Sequence, residues 1–442
     1  MSRFRPEELS KWGSAAWKNG VPSGGIAGIS NDTRTIRPGD LYVAIQGENF
    51  DGHDFVRQAF EKGAAGALVN DGFQWSGNPV LPVPDTIKGL QDIARGYRAE
   101  WVATVVGITG SVGKTTVKEM CAAMLSVKGE THRTAGNYNN HIGLPLSMLA
   151  MPREARFGVF EIGMNHPGEI AVLTDLLRPD IGILTDICNA HRESFESLEG
   201  IAREKAELAW RVPGDGLVFL DCDSDWFELI RAKTLASIRT ISFGSNADYT
   251  GNASASDVLS VAHHEFSMPL PGEHIMRNAL RAIALGLELG MTPAEVEQGL
   301  GRFELPSMRW EESEVRGIRF INDAYNANPL SMRANLGTFA NLSGEGGKWA
   351  VIGGMRELGD TAEKEHAELG RFIDGLNLDG VIVVGELGRG IASHVGQAVF
   401  QTLEVAEAAQ ILRDHLHPGD CVLLKASRGE RLEQVLEHFK EI

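Results

Sequence analysis

The stretch "GITGSVGKTT" (Gly107–Thr116) constrains this chain more than any other part of it. It follows the apolar run Val102–Val106 and leads into "VKEMCAAMLSVKG", whose apolar spacing is helical. Strand, tight glycine turn and helix, in that order, gather backbone N–H groups and the positive end of a helix dipole around one anion. Lys114 brings a full charge to the β- and γ-phosphates of a nucleotide, and Thr115 offers a hydroxyl to Mg²⁺. In the usual string G-x-x-x-x-G-K-[ST] the first position is Ile108 here, and Gly110 lies inside the loop. The cradle is therefore a variant: Thr109, Gly110, Ser111, Val112, Gly113, Lys114, Thr115. A chain with such a turn folds as an α/β sheet whose strands end at a shared ligand edge.

The pattern around the loop repeats that theme. Residues 1–85 read as a small mixed α/β unit with strands in "DLYVAIQG" and "GAAGALVN" and a helix in "DFVRQAFEKG"; the proline-rich "GNPVLPVPD" (Gly77–Asp85) reads as a connector. Over 86–310 strands and helices alternate: "FGVFEIG" and "IGILTDIC" are buried strands, and "IMRNALRAIALGLELG" is a periodic helix. That alternation implies a parallel sheet covered by helices. Over 311–442 "KWAVIGGM", "GVIVVGE" and "CVLLKAS" alternate with helices again, as in a smaller Rossmann-like layer structure. The expected fold is α/β with three domains.

Charge narrows the partners. The 442 residues carry 42 Lys and Arg against 59 Asp and Glu, a formal net charge of −17. Such a surface repels nucleic acid and anionic lipid, so neither is expected as a partner, and anionic substrates need local basic pockets. The four cysteines (Cys121, Cys188, Cys222, Cys421) form no C-x-x-C pair, which fits a reducing cytoplasm. The start "MSRFRPEELSKW" lacks a signal-peptide core, and no apolar run reaches the ~18 residues of a membrane span.

Three further side chains stand out. Glu161 ends a buried strand, where a carboxylate can face Thr115 across a Mg²⁺ ion or simply be a solvated strand-end acid. His191 follows the strand "IGILTDIC" in a loop, as a ligand or as an ordinary loop histidine. Beyond it Leu198, Ile201, Ala202, Lys205 and Leu208 line one helix face, with Arg203, Glu204 and Glu207 pointing elsewhere. A lysine on that apolar stripe must snorkel, pair, lose its proton or be modified.

At this point the chain resembles the Mur ligase family over nearly its whole length. The resemblance is carried by the phosphate loop, "GNYNNHIGLPLSML", "EIGMNHPGEI", "NDAYNANPLSM", "LLKASRGERLE" and the N-terminal "NDTRTIRPGDLYVAIQGENFDGHDF". It implies an ATP-dependent, acid–amine ligase working through an acyl phosphate in cytoplasmic cell-wall precursor synthesis. The closest motifs imply UDP-N-acetylmuramoyl-tripeptide and D-alanyl-D-alanine as substrates, and a monomer. By resemblance the first unit binds the UDP-sugar-peptide, the second ATP and the third the incoming dipeptide. Thr109–Thr115, Asn278, Arg309 and Asp323 correspond to ATP-binding residues. Thr115, Glu161, His191 and Lys205 correspond to the Mg²⁺ site, Lys205 as a carbamate made from CO₂; Lys114, Lys205, His191 and Glu161 are the catalytic set. Thr33, Arg34, Asn137, Asn140, Asn326, Ser427 and Arg428 correspond to substrate-binding positions. Ala426, Met308 and Arg356 stand where the family more often has glycine, and none of them is a metal or phosphate ligand. The rival expectations are a sister ligase adding a single amino acid (diaminopimelate or lysine), a folate or cyanophycin relative, a nucleotide-binding regulator without ligase chemistry, and a small-molecule kinase.

Overall fold

Short β-branched runs punctuated by glycine build three sheets and, with their helices, three α/β domains; the computed structural model describes residues 2–441 except 48, 190, 191, 256, 345, 397 and 398. The first sheet has four parallel strands in sequence order: β1 (Ile29–Ser30), β2 (Leu41–Val43), β3 (Gly66–Asn70) and β4 (Val80–Val83). β4 corrects the expectation of a connector over Gly77–Asp85. Pro82 sits opposite Val69 in that strand. A proline is tolerated there because β4 is the outer strand, where a missing N–H breaks no ladder.

The central sheet has nine strands: β5 (Thr104–Thr109), β6 (Thr131–Arg133), β7 (Phe157–Glu161), β8 (Ile181–Leu184), β9 (Leu217–Asp221), β10 (Ser237–Phe243), β11 (Tyr249–Ala255), β12 (Val258–Val261) and β13 (His264–Ser267). Their order is β13-β12-β11-β10-β9-β8-β5-β7-β6. β5 pairs in parallel with β7 on one side and β8 on the other. The order of strand addition thus switches sides at β5, and in open sheets ligands bind at such a switch point, beyond the carboxyl ends of the strands. The antiparallel β11–β13 edge lies outside the strand–helix alternation read from the sequence. Its last turn uses Ala262 (φ 50°) and His263 (φ 65°) rather than glycine or asparagine, so the usual hairpin signal is missing.

The third sheet, β14 (Glu311–Val315), β15 (Ile318–Asn322), β16 (Lys348–Gly353), β17 (Gly380–Val384), β18 (Val399–Thr402) and β19 (Cys421–Lys425), runs β14-β15-β19-β16-β17-β18, with β14 antiparallel to β15. The first two sheets share a core through the helix Thr86–Arg98. Leu90, Ile93, Ala94 and Tyr97 are fully buried in it. Tyr97 donates its hydroxyl to Met151 O at 2.6 Å, and Arg98 Nε donates to Leu177 O at 2.7 Å. Among the described residues no helix is long and apolar enough to cross a membrane.

Candidate active site

The carboxyl ends of β5, β7 and β8 open on one cavity of about 780 Å³. β5 delivers the glycine loop. Gly110 has φ 153°, and a Cβ there would lie 1.8 Å from Thr185 Oγ1; Gly113 has φ 85°, and its Cβ would lie 2.4 Å from Asn278 Oδ1. Both positions therefore require glycine. Gly113 caps the helix Lys114–Leu125 without a side chain, so the first-turn amides stay available to an anion. Lys114 Nζ donates to the loop's own carbonyls, Gly110 O at 2.7 Å and Ser111 O at 3.2 Å. Burial lowers its pKa, with Glu161 opposing that effect.

β8 braces the loop from behind. Ser111 N and Val112 N donate to Asp186 O at 2.8 and 3.3 Å, and Thr185 Oγ1 donates to Val112 O at 2.5 Å. Asp186 is held by Arg281, whose side chain is 1% exposed. Arg281 Nη2 donates to Asp186 at 2.6 Å and to Asp221 at 3.1 Å, while Nη1 donates to Arg277 O at 3.0 Å. Removing one member of a buried charge cluster strands the others. Arg281→Leu is therefore expected to destabilise the protein by about 3 kcal/mol, read as a lower midpoint in urea with an unchanged slope.

β7 delivers Glu161, which is 3% exposed. Its Oε2 accepts from Thr115 Oγ1 at 2.8 Å, its Oε1 from Asn139 Nδ2 at 2.8 Å, and its N–H donates to Thr134 Oγ1 at 3.1 Å. Lys205 lines the same cavity at 1% exposure and makes no hydrogen bond to a described residue. Burial, then the charge of Lys114, holds its pKa well below the usual lysine range; Cys188, Glu204 and Glu161 oppose this. Glu204 corrects the helical-face reading: it is buried, and its two oxygens accept Gly168 N at 2.8 Å and Ile170 N at 2.9 Å, capping the helix Glu169–Leu177. His191 lies outside the described residues.

The third domain, with the Arg309–Trp310 junction that leads into it, closes the cavity. Arg309 lies over the Tyr325 ring at 4.4 Å and donates Nη2–H to Thr115 Oγ1 at 3.1 Å. Asp323 is 9% exposed; its Oδ1 accepts Trp310 N at 3.0 Å, and its Oδ2 accepts short bonds from Asn335 Nδ2 and the buried Lys425 Nζ. Further contacts join the β8 loop to this domain: Arg192 N donates to Glu357 O at 2.9 Å, and Asn189 Nδ2 to Glu365 Oε1 at 3.3 Å.

The cavity wall thus gathers Ser111 to Thr115, Asn137, Asn140, Glu161, Lys205, Asn278, Arg309, Asp323 and Asn326. Thr109 and Gly110 stand behind it: Thr109 is fully buried and donates its hydroxyl to Ile162 O at 2.8 Å. Asn140 also caps the helix Gly143–Ala150, accepting Gly143 N at 2.8 Å. Four positions lie away from this cavity. Thr33 bonds Gln58, Arg34 pairs with Asp32, Ser427 is buried against Arg356 N, and Arg428 pairs with Glu433. Sequence reasoning missed Asn139, the Arg281–Asp186 brace and Lys425; Asn139 stood inside the quoted "NYNNH", while the other two are long-range pairings without a local signal.

Comparison with known proteins follows the same outline. Residues 25–98 match the Mur ligase family catalytic domain, 108–286 the Mur ligase middle domain, and 301–428 the Mur ligase glutamate ligase domain. The chain is 36% identical over 433 residues to a UDP-N-acetylmuramoyl-tripeptide–D-alanyl-D-alanine ligase of Bacillus subtilis, covering 94% of this chain and 93% of that one. Its fold superposes on MurF from Acinetobacter baumannii with a TM-score of 0.90 at 29% identity, covering 99% of each chain. It superposes on MurF ligase from Thermotoga maritima in complex with ADP with a TM-score of 0.82 at 27% identity, covering 94% of this chain and 97% of that one. The glycine cradle, the carboxylate facing it and the three-domain outline all lead to one conclusion: this chain belongs to the Mur ligase family.

Proposed function

We propose that this protein joins D-alanyl-D-alanine to UDP-N-acetylmuramoyl-tripeptide at the expense of ATP, in the cytoplasm, as a monomer. The observation that carries the reading is the convergence of Lys114, Glu161 and Lys205 on one cavity at the meeting of the second and third domains. The relatives' names and the ADP complex of the Thermotoga maritima protein support it. Residues 1–85 hold the UDP-sugar-peptide, with Thr33 and Arg34 at the UDP moiety. Residues 86–310 hold ATP. Residues 311–442 bring the dipeptide, with Asn326, Ser427 and Arg428 near it.

The residues fit a Mg²⁺-nucleotide. Thr115 Oγ1 and Glu161 Oε2 lie 2.8 Å apart, close to the ~3 Å between neighbouring oxygen ligands at ~2.1 Å bond lengths. Among the described residues no group of three His, Cys, Asp or Glu gathers as a metal cage. A magnesium there would take Glu161 and Thr115 from the protein, with phosphate oxygens completing part of its shell. When bound, the ion neutralises charge on the triphosphate and the reacting carboxylate.

A carboxylate is a poor electrophile. Its oxygen attacks the γ-phosphorus, the bond to the β-phosphate oxygen breaks, and an acyl phosphate and ADP result. The dipeptide amine then attacks the acyl carbon, loses a proton, and expels phosphate. The protein forms no covalent bond; it positions the reactants and screens charge. Lys114 and the loop amides turn to the phosphates, Arg309 leaves Thr115 for the transferring phosphoryl group, and Asn278 and Asp323 flank the nucleoside. Asn137 and Asn140 face the substrate.

Lys205 is suited to a carbamate because only a neutral amine adds to CO₂, and burial together with the charge of Lys114 shifts this amine toward its neutral form. The nitrogen bonds to the carbon of CO₂ and releases one proton, leaving an anion where a lone amine stood. With His191, that carbamate would be a further holder of magnesium.

The test is phosphate release with ATP, UDP-N-acetylmuramoyl-tripeptide and D-alanyl-D-alanine, omitting each in turn, beside a panel of single amino acids. Release that requires all three supports the reading. Release with diaminopimelate or lysine in place of the dipeptide would move the enzyme to a sister activity.

A further inference from the structure

Glu161 is held at both ends by one helix. Thr115 grips its carboxylate directly. The other grip is indirect. Lys118 lies three residues beyond Thr115, on the helix Lys114–Leu125, and its side chain is fully buried. Its Nζ donates to Thr134 O at 2.7 Å and lies 2.9 Å from the Glu119 carboxylate, which Arg133 also meets. Thr134, fully buried as well, donates its N–H to Val159 O at 3.1 Å and accepts Glu161 N on its hydroxyl. Thr115, Glu161, Thr134 and Lys118 thus close a ring through the helix backbone.

The two arms differ in what a cation does to them. A cation that takes Thr115 Oγ1 and Glu161 Oε2 as ligands competes for the oxygen that accepts the Thr115 hydroxyl proton. The Lys118–Thr134 arm uses a carbonyl, a hydroxyl and an amide that face away from the cavity, so it survives. An ammonium buried without exposure is an expensive way to hold a loop. It is placed where the first residue after β6 must stay fixed while the neighbouring contact is exchanged.

We propose that Lys118 is a positioning residue for divalent-cation binding: through Thr134 it fixes the backbone of Glu161 and keeps its carboxylate aimed into the cavity. This rests on the reading of that cavity as the Mg²⁺-nucleotide site.

The test uses the full chain, with Mn²⁺ as the probe, counted from the free-ion EPR signal in the presence of ADP. Metal-free ADP binding and the thermal midpoint are measured alongside. Lys118→Met and Thr134→Val are each expected to weaken Mn²⁺ binding about tenfold or more, with metal-free ADP affinity within about twofold of the parent. Because both act in series on one path to Glu161, the double variant is expected to be no weaker than the worse single one. Unchanged Mn²⁺ affinity, fully additive effects, or an equal loss of metal-free ADP binding would overturn the role. Should Lys118→Met fail to fold, Thr134→Val still tests the path, since it removes the hydroxyl that holds Glu161 N; unchanged Mn²⁺ affinity in it would overturn the role. If the parent protein binds no Mn²⁺ with ADP present, it is the reading of the nucleotide site that fails, not the positioning role.

Discussion

Lys114→Ala is expected to lower phosphate release by about a hundredfold or more while leaving UDP-sugar-peptide binding intact. In the structure the ammonium is turned back on Gly110 O and Ser111 O. Those bonds join groups that water can serve, so their loss costs little in folding. Against a triphosphate the same ammonium makes charge-assisted hydrogen bonds worth about 1.5–3 kcal/mol each. Each 1.36 kcal/mol is about tenfold in rate, so two such bonds are enough. The check is steady-state turnover together with equilibrium binding of the sugar-peptide. An alanine variant turning over within tenfold of the parent would remove Lys114 from the chemistry.

Lys205→Arg is expected to abolish measurable turnover even though it keeps a long basic side chain. The site holds an amine with a pKa far below normal, next to the charge of Lys114. A guanidinium stays charged under all ordinary conditions and cannot add CO₂. It places a fixed cation beside Lys114 where the proposed carbamate would put an anion. The second measurement is spectroscopic: protein equilibrated with ¹³C-bicarbonate should give one carbamate carbon resonance, absent in the variant. An active arginine variant would show that the amine acts without modification. A variant that is inactive, in a parent lacking the resonance, would leave Lys205 essential as a neutral amine.

What could be read without coordinates was local. The loop from Thr109 to Thr115 is legible because its marker residues answer local needs: glycine for backbone of positive φ, and a lysine and a threonine as the groups expected to meet phosphate and a cation. Glu161 and Lys205 were legible as anomalies, a carboxylate ending a buried strand and an amine on an apolar stripe. The devices that aim them were not. Asn139, Thr134, Asp186, Arg281 and Lys425 meet their partners across separations of 16 to 102 residues. Glu204 shows the limit of periodicity in another way. One helix face packs on the core, but a second face meets the amides of a neighbouring helix end, and a buried acid is welcome there. Pro82 misled for a related reason, since strand or connector depends on whether a neighbour needs its N–H.

The helix Thr86–Arg98 has a mechanical consequence. By burying Leu90, Ile93 and Tyr97 in a core common to the first two sheets, it welds those domains into a single lever arm. The third domain meets that arm near the cavity through Arg309, Asn189 and the Arg192 amide, polar contacts that water can replace, and, among the described residues, through only two apolar side chains shared by both cores, Leu270 and Leu305. The molecule's compliance is therefore concentrated at one joint, and a change of occupant in the cavity would be felt by the third domain rather than by the first.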